Sequence, residues 1–302
     1  MQLPDRTPRP PALRRSWLFL AGADEDALMQ GTDSGADVLI QEVETFTPTP
    51  ARAQACRLSA HIMRHWKAAG AVTAVRIDRL EAGGMEDLTL LMAAAPQVVM
   101  MSFVSTPQQM EALDEVVGRL ERQYGIVPGT TELVPNIESP LGLLNTIPIA
   151  RASARVSAVL VGTEDMVADI GAQRTREGRE LDYVRSRFLI ECASLGMSAI
   201  DCPYSYTDSA GAARDMQQSL ALGFKAKAIV NAHFVPLVNR VLTPSDDDIA
   251  AARRCIEAFE NARTAAGGKR VAAAVADTFL VEVPDYLAAR RLLARAAQFG
   301  MG

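Results

Sequence analysis

The chain has 302 residues, of which 49% are apolar and 22% are charged, and its formal net charge at pH 7 is −5. This composition is typical of a soluble globular protein, and the acidic balance gives no electrostatic reason to expect binding to nucleic acid or to an anionic membrane. Residues 1–15 lack the apolar core of a signal peptide, no apolar run approaches the roughly 18 residues of a membrane helix, and the 4 scattered cysteines suit reduced thiols, so we expect a cytoplasmic protein.

Eight apolar runs rich in β-branched residues predict strands along the chain. They cover residues 16–22, 37–43, 72–77, 98–104, 132–137, 158–162, 198–201 and 226–231. Helical patterns lie at residues 24–34, 52–68, 107–124, 141–152, 182–195, 208–222 and 246–266. This alternation predicts an α/β fold, a (β/α)8 TIM barrel with a C-terminal extension. Two doubly wound domains are the alternative, which is disfavoured because no GxGxxG motif follows the first strand and no linker divides the chain.

Three segments follow from this pattern. Residues 1–13 are rich in proline and arginine and are predicted to form a flexible or surface-laid arm. Residues 14–266 form the predicted barrel. Residues 267–302 begin with two glycines and contain an extended segment at 271–283 and a helix at 284–298. This C-terminal extension lies outside the repeats, so it is expected to fold over the barrel mouth or to reach a neighbouring subunit.

Polar residues collect at the predicted carboxyl ends of the strands, which is the catalytic face of a TIM barrel. They are Gly22, Asp24, Glu42, Glu44, Arg76, Glu138, Asp165, Asp201, Tyr204, Asn231 and His233. Glu138 and Asp165 end successive strand segments, and two such carboxylates suit Mg²⁺, which prefers few carboxylates together with water and substrate oxygens. Mn²⁺ is equally compatible with oxygen ligands. The alternative is that the two acids are surface groups, or that Asp165 caps a helix that starts at Met166.

Arg76 ends an apolar strand, where an unpaired charge is costly. Its planar guanidinium suits a bidentate clamp on a substrate carboxylate, and an internal salt bridge to Glu42 or Glu44 is the alternative; both can hold together. Glu42 and Glu44 are two residues apart and are predicted to point the same way from one strand, next to a cation. The alternative interpretation is that Glu42 and Glu44 lie at a solvent-exposed strand end and have no role in binding.

Two further sets of residues are candidates for ligand binding. Gly162 and Thr163, which lie between the sixth strand and Asp165, are predicted to bind substrate. Arg174 and Arg176 begin an arginine-rich loop at residues 173–187, which could form a basic rim for the phosphates of an acyl carrier such as coenzyme A. A solvated, mobile loop is the alternative.

Several motifs resemble the citrate lyase β-subunit-like family, within the HpcH/HpaI aldolase group. The likeness runs from about Arg15 to Gln298 and rests on RSWLFLAG, SGADVLIQEVE, NIESPLGLLN, VLVGTEDMVADIGA and GFKAKAIVNA. The resemblance implies a barrel enzyme that uses Mg²⁺ to make or break a carbon–carbon bond next to a carboxylate, often in a coenzyme A thioester. It also implies a homotrimer or hexamer in which a C-terminal segment closes a neighbour's site.

The resemblance assigns roles at matching positions. The metal ligands fall on Glu138 and Asp165, the substrate-binding arginine falls on Arg76, and the acids that support the metal's waters fall on Glu42 and Glu44.

The sequence also departs from the family pattern. The usual Leu-Asp-Leu-Glu-Asp-Ala motif of strand 2 is replaced by residues 41–46, QEVETF. The usual Pro-Lys at the end of strand 4 is replaced by Ser102-Phe103, and the usual His-Pro after strand 8 by Asn231-Ala232. The C-terminal acid that serves the neighbouring site falls on Glu282, with Asp277 as a second candidate.

The resulting hypothesis is a Mg²⁺-dependent carbon–carbon lyase of retro-aldol or retro-Claisen type. Its substrate would be a hydroxy-carboxylic acid or the coenzyme A thioester of one, and its product a 2-keto acid such as pyruvate, glyoxylate or oxaloacetate. Arg76, Glu44 and Glu282 are the predicted catalytic residues, with Glu282 as the general base. An aldolase that acts on free hydroxy-keto acids is one alternative. A catalytically silent homologue that binds a metal and a keto acid is the other.

Overall fold

The computed structural model describes residues 7–267, 271–276 and 279–301. Contacts within the chain divide it into two compact units, Met1–Arg240 and Val241–Gly302. The predicted barrel boundary lies later, after residue 266. The difference concerns the helix Asp246–Ala265, which packs against the C-terminal helix and hairpin and therefore groups with the second unit.

The first unit is a closed barrel of eight parallel strands in sequence order, which confirms the predicted fold class. Strands β1 to β8 are Ser16–Ala21, Val38–Glu42, Val72–Ile77, Val98–Met101, Glu132–Ile137, Ala158–Val161, Ser198–Asp201 and Ala226–Ile229. Strand β8 pairs with β1 and closes the barrel. All eight strands lie within the predicted runs, because short β-branched segments that are buried on both faces give a continuous apolar pattern.

Twelve α-helices occur in the described part of the chain. Helices α1 to α12 are Glu25–Gln30, Thr49–Ala68, Gly84–Leu91, Pro107–Tyr124, Pro140–Leu144, Thr146–Arg151, Thr163–Asp169, Asp182–Ser194, Ser209–Leu222, Val235–Val241, Asp246–Ala265 and Val283–Gln298. The single helix predicted at 141–152 is two helices that meet at Asn145. Helices α3 and α10 are only two turns long and give little periodicity, so neither was predicted, and α7 was considered only as a helix that starts at Met166. Among the described residues, no helix is long and apolar enough to cross a bilayer.

The barrel interior is filled by alternate side chains of the strands. The buried cluster comprises Trp17, Phe19, Val38, Ile40, Val72, Ala74, Val98, Met100, Val134, Ala158, Leu160, Ile200, Ala226 and Ala228. At the carboxyl ends of β2 and β3 the inward positions become charged, with Glu42 and Arg76. The packed core therefore fixes the strands that present the polar groups at the mouth.

Asp201 is the last residue of β7, but its carboxylate points toward the helical layer and not into the barrel mouth. It pairs with Arg185 on α8 and with Lys227 on β8, whose Nζ lies 2.8 Å from Asp201 Oδ2. Burial alone would raise the pKa of Asp201, but the charges of Lys227 and Arg185 lower it below the usual range. This network ties the helical layer to the strands, so the placement of Asp201 among the site residues was wrong.

The residues of the predicted arm that the structure describes contact the first unit. Leu13 is buried, and Arg9 Nε lies 3.0 Å from Asp37 Oδ1. Residues 1–6 lie outside the described residues.

The second unit contains α11, an antiparallel hairpin and α12. The hairpin strands β9 and β10 are Ala273–Ala276 and Phe279–Glu282. Phe259 of α11 stacks on Tyr286 of α12 with ring centroids 4.8 Å apart, and Ala274 and Val281 complete the small core. The predicted extended segment followed by a helix corresponds to β9, β10 and α12.

Candidate functional site

Arg76 lies at the centre of a group of carboxylates at the end of β3. Its Nη2 lies 3.0 Å from Glu42 Oε1 and 3.0 Å from Glu44 Oε2, and its Nη1 lies 3.7 Å from Glu138 Oε1. Burial alone would lower the pKa of Arg76, but the charges of Glu42, Glu138 and Glu44 raise it. The guanidinium is therefore a permanent cation, and the predicted internal salt bridges are present.

Glu42 shapes the loop that follows β2. Its side-chain oxygens accept hydrogen bonds from the backbone N–H groups of Glu44 at 2.7 Å, Thr45 at 2.9 Å and Phe46 at 2.5 Å. The strand ends at Glu42, so Glu44 lies in this loop, and the prediction that the two acids share one strand face was wrong. The turn around the Glu42 carboxylate nevertheless returns Glu44 to Arg76.

Glu138 follows β5 and is buried at the barrel mouth. Its Oε2 accepts a hydrogen bond of 2.8 Å from the backbone N–H of Phe103. Phe103 has φ of 54°, a conformation that a bulky residue adopts only when the surroundings enforce it. Burial raises the pKa of Glu138 to about 7, although Arg76 and the Phe103 hydrogen bond act in the opposite direction. A cation beside this carboxylate would favour its ionised form.

Asp165 lies in the first turn of α7. That helix starts at Thr163 with Gly162 as its N-cap, so the alternative that Asp165 caps a helix starting at Met166 was wrong. Burial raises the pKa of Asp165, and the charge of Glu44 adds to this effect. The charge of Asp165 in turn raises the pKa of Glu138. The two predicted metal ligands are therefore close enough for their charges to interact.

Gly162 allows the Glu138 side chain to occupy its position. A Cβ at residue 162 would lie 2.5 Å from Glu138 Cγ and 2.6 Å from Oε1. The backbone of Gly162 is extended, with φ of −97°, so a side chain is excluded by space and not by conformation. Gly162 is thus part of the site because it lacks a side chain.

We expect Gly162→Ala to displace the Glu138 carboxylate and to weaken Mg²⁺ binding by at least about tenfold while the barrel remains folded. Titration of the variant with Mg²⁺, followed by calorimetry, measures the affinity, and circular dichroism reports the fold. Gly118→Ala is the matched control, because Gly118 lies inside α4, where the nearest atom to a new Cβ is Arg155 Nη2 at 3.5 Å. Wild-type affinity in Gly162→Ala would contradict this role.

A cavity of about 450 Å³ opens at the barrel mouth. Arg76, Glu138, Gly162, Thr163 and Asp165 all line it, so the structure brings together most of the predicted site residues. Its volume lies within the range of roughly 300–1,000 Å³ of small-molecule sites. The hydroxyl of Thr163 is buried, and no group in the described ranges forms a hydrogen bond with it.

The donor set at the mouth fits a hard divalent cation. Glu138 and Asp165 offer carboxylate oxygens beside an open cavity, and burial has raised the pKa of both. The residues that the structure describes contain no group of three or more His, Cys, Asp or Glu side chains with metal-binding geometry. A cation held by two carboxylates would complete its coordination with water and substrate, as Mg²⁺ commonly does.

A family model, HpcH/HpaI aldolase/citrate lyase, matches residues 15–232. The chain belongs to this family. It is 30% identical over 290 residues to the citrate lyase subunit beta of Escherichia coli, which covers 95% of each chain. It is also 25% identical over 260 residues to the mitochondrial citramalyl-CoA lyase of Homo sapiens, covering 82% of this chain and 76% of that one. The resemblance inferred from the sequence is confirmed.

The fold is also shared with a solved structure. The CitE protein of Mycobacterium tuberculosis, in complex with magnesium, acetoacetate and coenzyme A, superposes with a TM-score of 0.75 at 20% identity. The alignment covers 95% of this chain and 99% of that one.

Arg174 and Arg176 lie beside a separate, smaller cavity of about 140 Å³. Arg174 pairs with Glu164 at 3.2 Å and with Glu180 at 2.9 Å. Arg176 Nη1 lies 3.2 Å from Asp208 Oδ2. Their proposed contact with the phosphates of a coenzyme A thioester stays a prediction, and each arginine already has a carboxylate partner.

Glu282, the predicted catalytic base, lies in the second unit of the chain. It is the N-cap of α12, where its backbone N–H donates a hydrogen bond of 2.9 Å to Asp285 Oδ2. Asp277 lies outside the described residues. A catalytic base supplied by Glu282 to a neighbouring subunit, and the trimer or hexamer that this requires, stay predictions.

The aromatic rings of Phe19 and Phe46, which were not among the predicted site residues, contact Arg76. Its guanidinium carbon lies 5.0 Å from the ring centroid of Phe19 and 5.6 Å from that of Phe46, so cation–π attraction helps to hold the guanidinium. Phe46 occupies the position at which the family motif has alanine, and this difference could have indicated from the sequence that Phe46 belongs to the site. Nothing in the sequence marks Phe19 as a site residue, because an apolar residue inside a strand is predicted to lie in the core.

Proposed function

We propose that the protein is a Mg²⁺-dependent carbon–carbon lyase that cleaves a hydroxy-carboxylic acid, or its coenzyme A thioester, and releases a 2-oxo acid. The observation that carries this proposal is the convergence of Arg76, Glu138 and Asp165 on one cavity at the carboxyl ends of the barrel strands. Family membership supports the reaction class, since relatives named as citrate lyase and citramalyl-CoA lyase share it.

Different residues of the site would bind the cation and the substrate. Glu138 and Asp165 would hold the cation, and Mg²⁺ there would act as a Lewis acid toward the carboxylate and the adjacent oxygen of the substrate. Arg76 Nη1 would pair with the substrate carboxylate, because Nη2 already bonds Glu42 and Glu44. The loop held by Glu42 and the rings of Phe19 and Phe46 keep Arg76 in place before the substrate arrives.

The cleavage step needs a base for the substrate hydroxyl. Removal of that proton lets the C–O bond become a carbonyl while the adjacent C–C bond breaks and its electron pair forms an enolate on the departing fragment. The enolate then takes up a proton. We assign the base to Glu282 of another copy of the chain, because the family resemblance implies a C-terminal acid that a neighbouring subunit supplies.

A free acid is the second candidate substrate. Arg174 and Arg176 would have to exchange their partners Glu164, Glu180 and Asp208 for phosphates before they could bind coenzyme A. This observation favours an aldolase that needs no acyl carrier.

Calorimetric titration of pyruvate and oxaloacetate, with and without Mg²⁺, tests the proposed function. We expect binding of at least one of these acids that requires Mg²⁺. Product assays with hydroxy acids, both free and as coenzyme A thioesters, then separate the two substrate classes. Mg²⁺-dependent binding without product from either class would indicate a catalytically silent homologue, and no binding under either condition would contradict the proposal.

A further inference from the structure

The walls of the 450 Å³ cavity differ in chemistry on the two sides of the barrel. Charged groups come from the loop after β2, from β3, from the end of β5 and from α7. The remaining arc, formed by β7, β8 and β1 and the residues that follow β7 and β8, is mainly apolar. Its apolar residues are Phe19, Pro203, Ala228 and Val230, and Leu160 of β6 adjoins them. Its polar residue is Ser205, whose hydroxyl donates a hydrogen bond of 2.6 Å to Glu164 Oε1. These strands are consecutive around the closed barrel, so their side chains form one continuous apolar wall.

The charged side has no spare cation for a second substrate carboxylate. Arg76 is the one cationic residue among the described residues that line the cavity, and three glutamates already surround it. Four carboxylates face this guanidinium when Asp165 is included, so even a bound divalent cation leaves one net negative charge. Arg174, which pairs with Glu164 of the cavity rim, is also bound to Glu180.

Apolar groups on the wall and at the mouth are partly open to solvent. The exposed fraction is 41% for Phe46 and 37% for Val230. Neither residue is needed to complete the barrel core, whose buried cluster includes Phe19 but not these two. A ligand that covers them would gain from removing apolar area from water.

We propose that the 2-oxo acid fragment of the substrate has one carboxylate and carries an apolar branch, alkyl or aryl, which lies against the wall of Phe19, Pro203, Ala228 and Val230. This inference rests on the proposed function and narrows its substrate class. The carboxylate and the adjacent oxygen face Arg76, Glu138 and Asp165, and the branch lies against the apolar carbon atoms of the wall. A second carboxylate on the same fragment would lie against apolar carbon with no counter-charge.

A homologous series of 2-oxo acids tests the inference. Pyruvate, 2-oxobutanoate and 2-oxopentanoate add one methylene at a time, whereas oxaloacetate and 2-oxoglutarate add a carboxylate. Calorimetry with saturating Mg²⁺ is expected to show affinity rising about 3- to 4-fold for each methylene. The two dicarboxylates should bind at least about tenfold more weakly than the monocarboxylates of similar length.

A pair of variants at one position tests the role of the wall itself. Val230→Lys places a cation on the wall and should reverse the preference toward 2-oxoglutarate. Val230→Leu keeps the wall apolar and should retain the order of the series. Val230 is partly exposed, so both side chains have room.

The outcomes separate the inference from the proposed function. Mg²⁺-dependent binding of oxaloacetate or 2-oxoglutarate that exceeds the monocarboxylates would overturn the apolar-branch proposal and leave the lyase proposal standing. A flat series would also overturn it, since the wall would then serve another part of the substrate, such as the arm of an acyl carrier. No Mg²⁺-dependent binding of any 2-oxo acid would contradict both.

Discussion

Replacing Glu138 with glutamine is expected to abolish Mg²⁺-dependent turnover, with a loss of at least about 10²- to 10³-fold. Glutamine has the same shape and keeps an oxygen that can accept the hydrogen bond from the Phe103 N–H. It removes the negative charge on which the binding of a divalent cation depends. The effect should therefore appear as lost Mg²⁺ affinity and lost activity, not as a misfolded barrel.

Stability measurements distinguish this loss from unfolding. Burial raises the pKa of Glu138 from 4.5 to about 7, so ionisation of Glu138 costs free energy in the folded, metal-free protein. The cost develops as the pH rises from about 4.5 to about 7 and is constant above that. The metal-free glutamine variant should consequently unfold at the same or a higher temperature than wild type at pH 8, with the difference vanishing at pH 4.

Glu115→Gln makes the same chemical change on the exposed face of α4 and serves as the control. Its activity and Mg²⁺ affinity should match wild type. If Glu138→Gln retained metal-dependent turnover, the assignment of Glu138 as a metal ligand would be wrong.

The barrel was predictable because its strands follow a simple rule. Apolar β-branched runs mark strands buried on both faces, and the polar residues that interrupt them mark the ends. Glu138 and Arg76 were located by this rule alone. Asp165 was also located, although it lies in the first turn of α7 and not on a strand, because helix and strand ends meet at the same rim.

Other parts of the site depend on contacts that no local pattern encodes. The bend of the loop after β2 follows from three backbone N–H groups that meet the Glu42 carboxylate, and sequence periodicity predicted a continuous strand there instead. The space that Glu138 occupies exists because residue 162 has no side chain. The positive φ of Phe103 likewise follows from its surroundings, since its residue type disfavours that conformation.

Asp201 shows the limit of the rule about strand ends. It ends a strand in the same way as the site acids, but β7 directs its carboxylate toward Arg185 of α8 and Ser219 of α9. Successive side chains of a strand point to opposite faces of the sheet. If the residue at the strand end is chosen one position too early or too late, a side chain that contacts the helical layer is predicted to lie at the barrel mouth.

The second large effect is expected from Arg76→Met, which should lower the free energy of unfolding by about 3–5 kcal/mol and abolish binding of 2-oxo acids. Methionine fills much of the space of the arginine stem but leaves Glu42, Glu44 and Glu138 close together without a counter-charge. Urea unfolding monitored by circular dichroism measures the stability change. Arg57→Met, on an exposed position of α2, is the control and should change stability by less than about 0.5 kcal/mol.

The pH dependence and the metal dependence of this variant identify the cause of its instability. Burial raises the pKa of Glu138 to about 7, so this carboxylate becomes neutral as the pH falls from 8 toward 4. The repulsion that it contributes, and with it the deficit of Arg76→Met, should shrink over that range. Added Mg²⁺ should also restore part of the lost stability, because a cation at Glu138 and Asp165 replaces part of the missing positive charge. A deficit that is independent of both pH and Mg²⁺ would mean that Arg76 stabilises the barrel by packing between Phe19 and Phe46 and not by neutralising the acids around it.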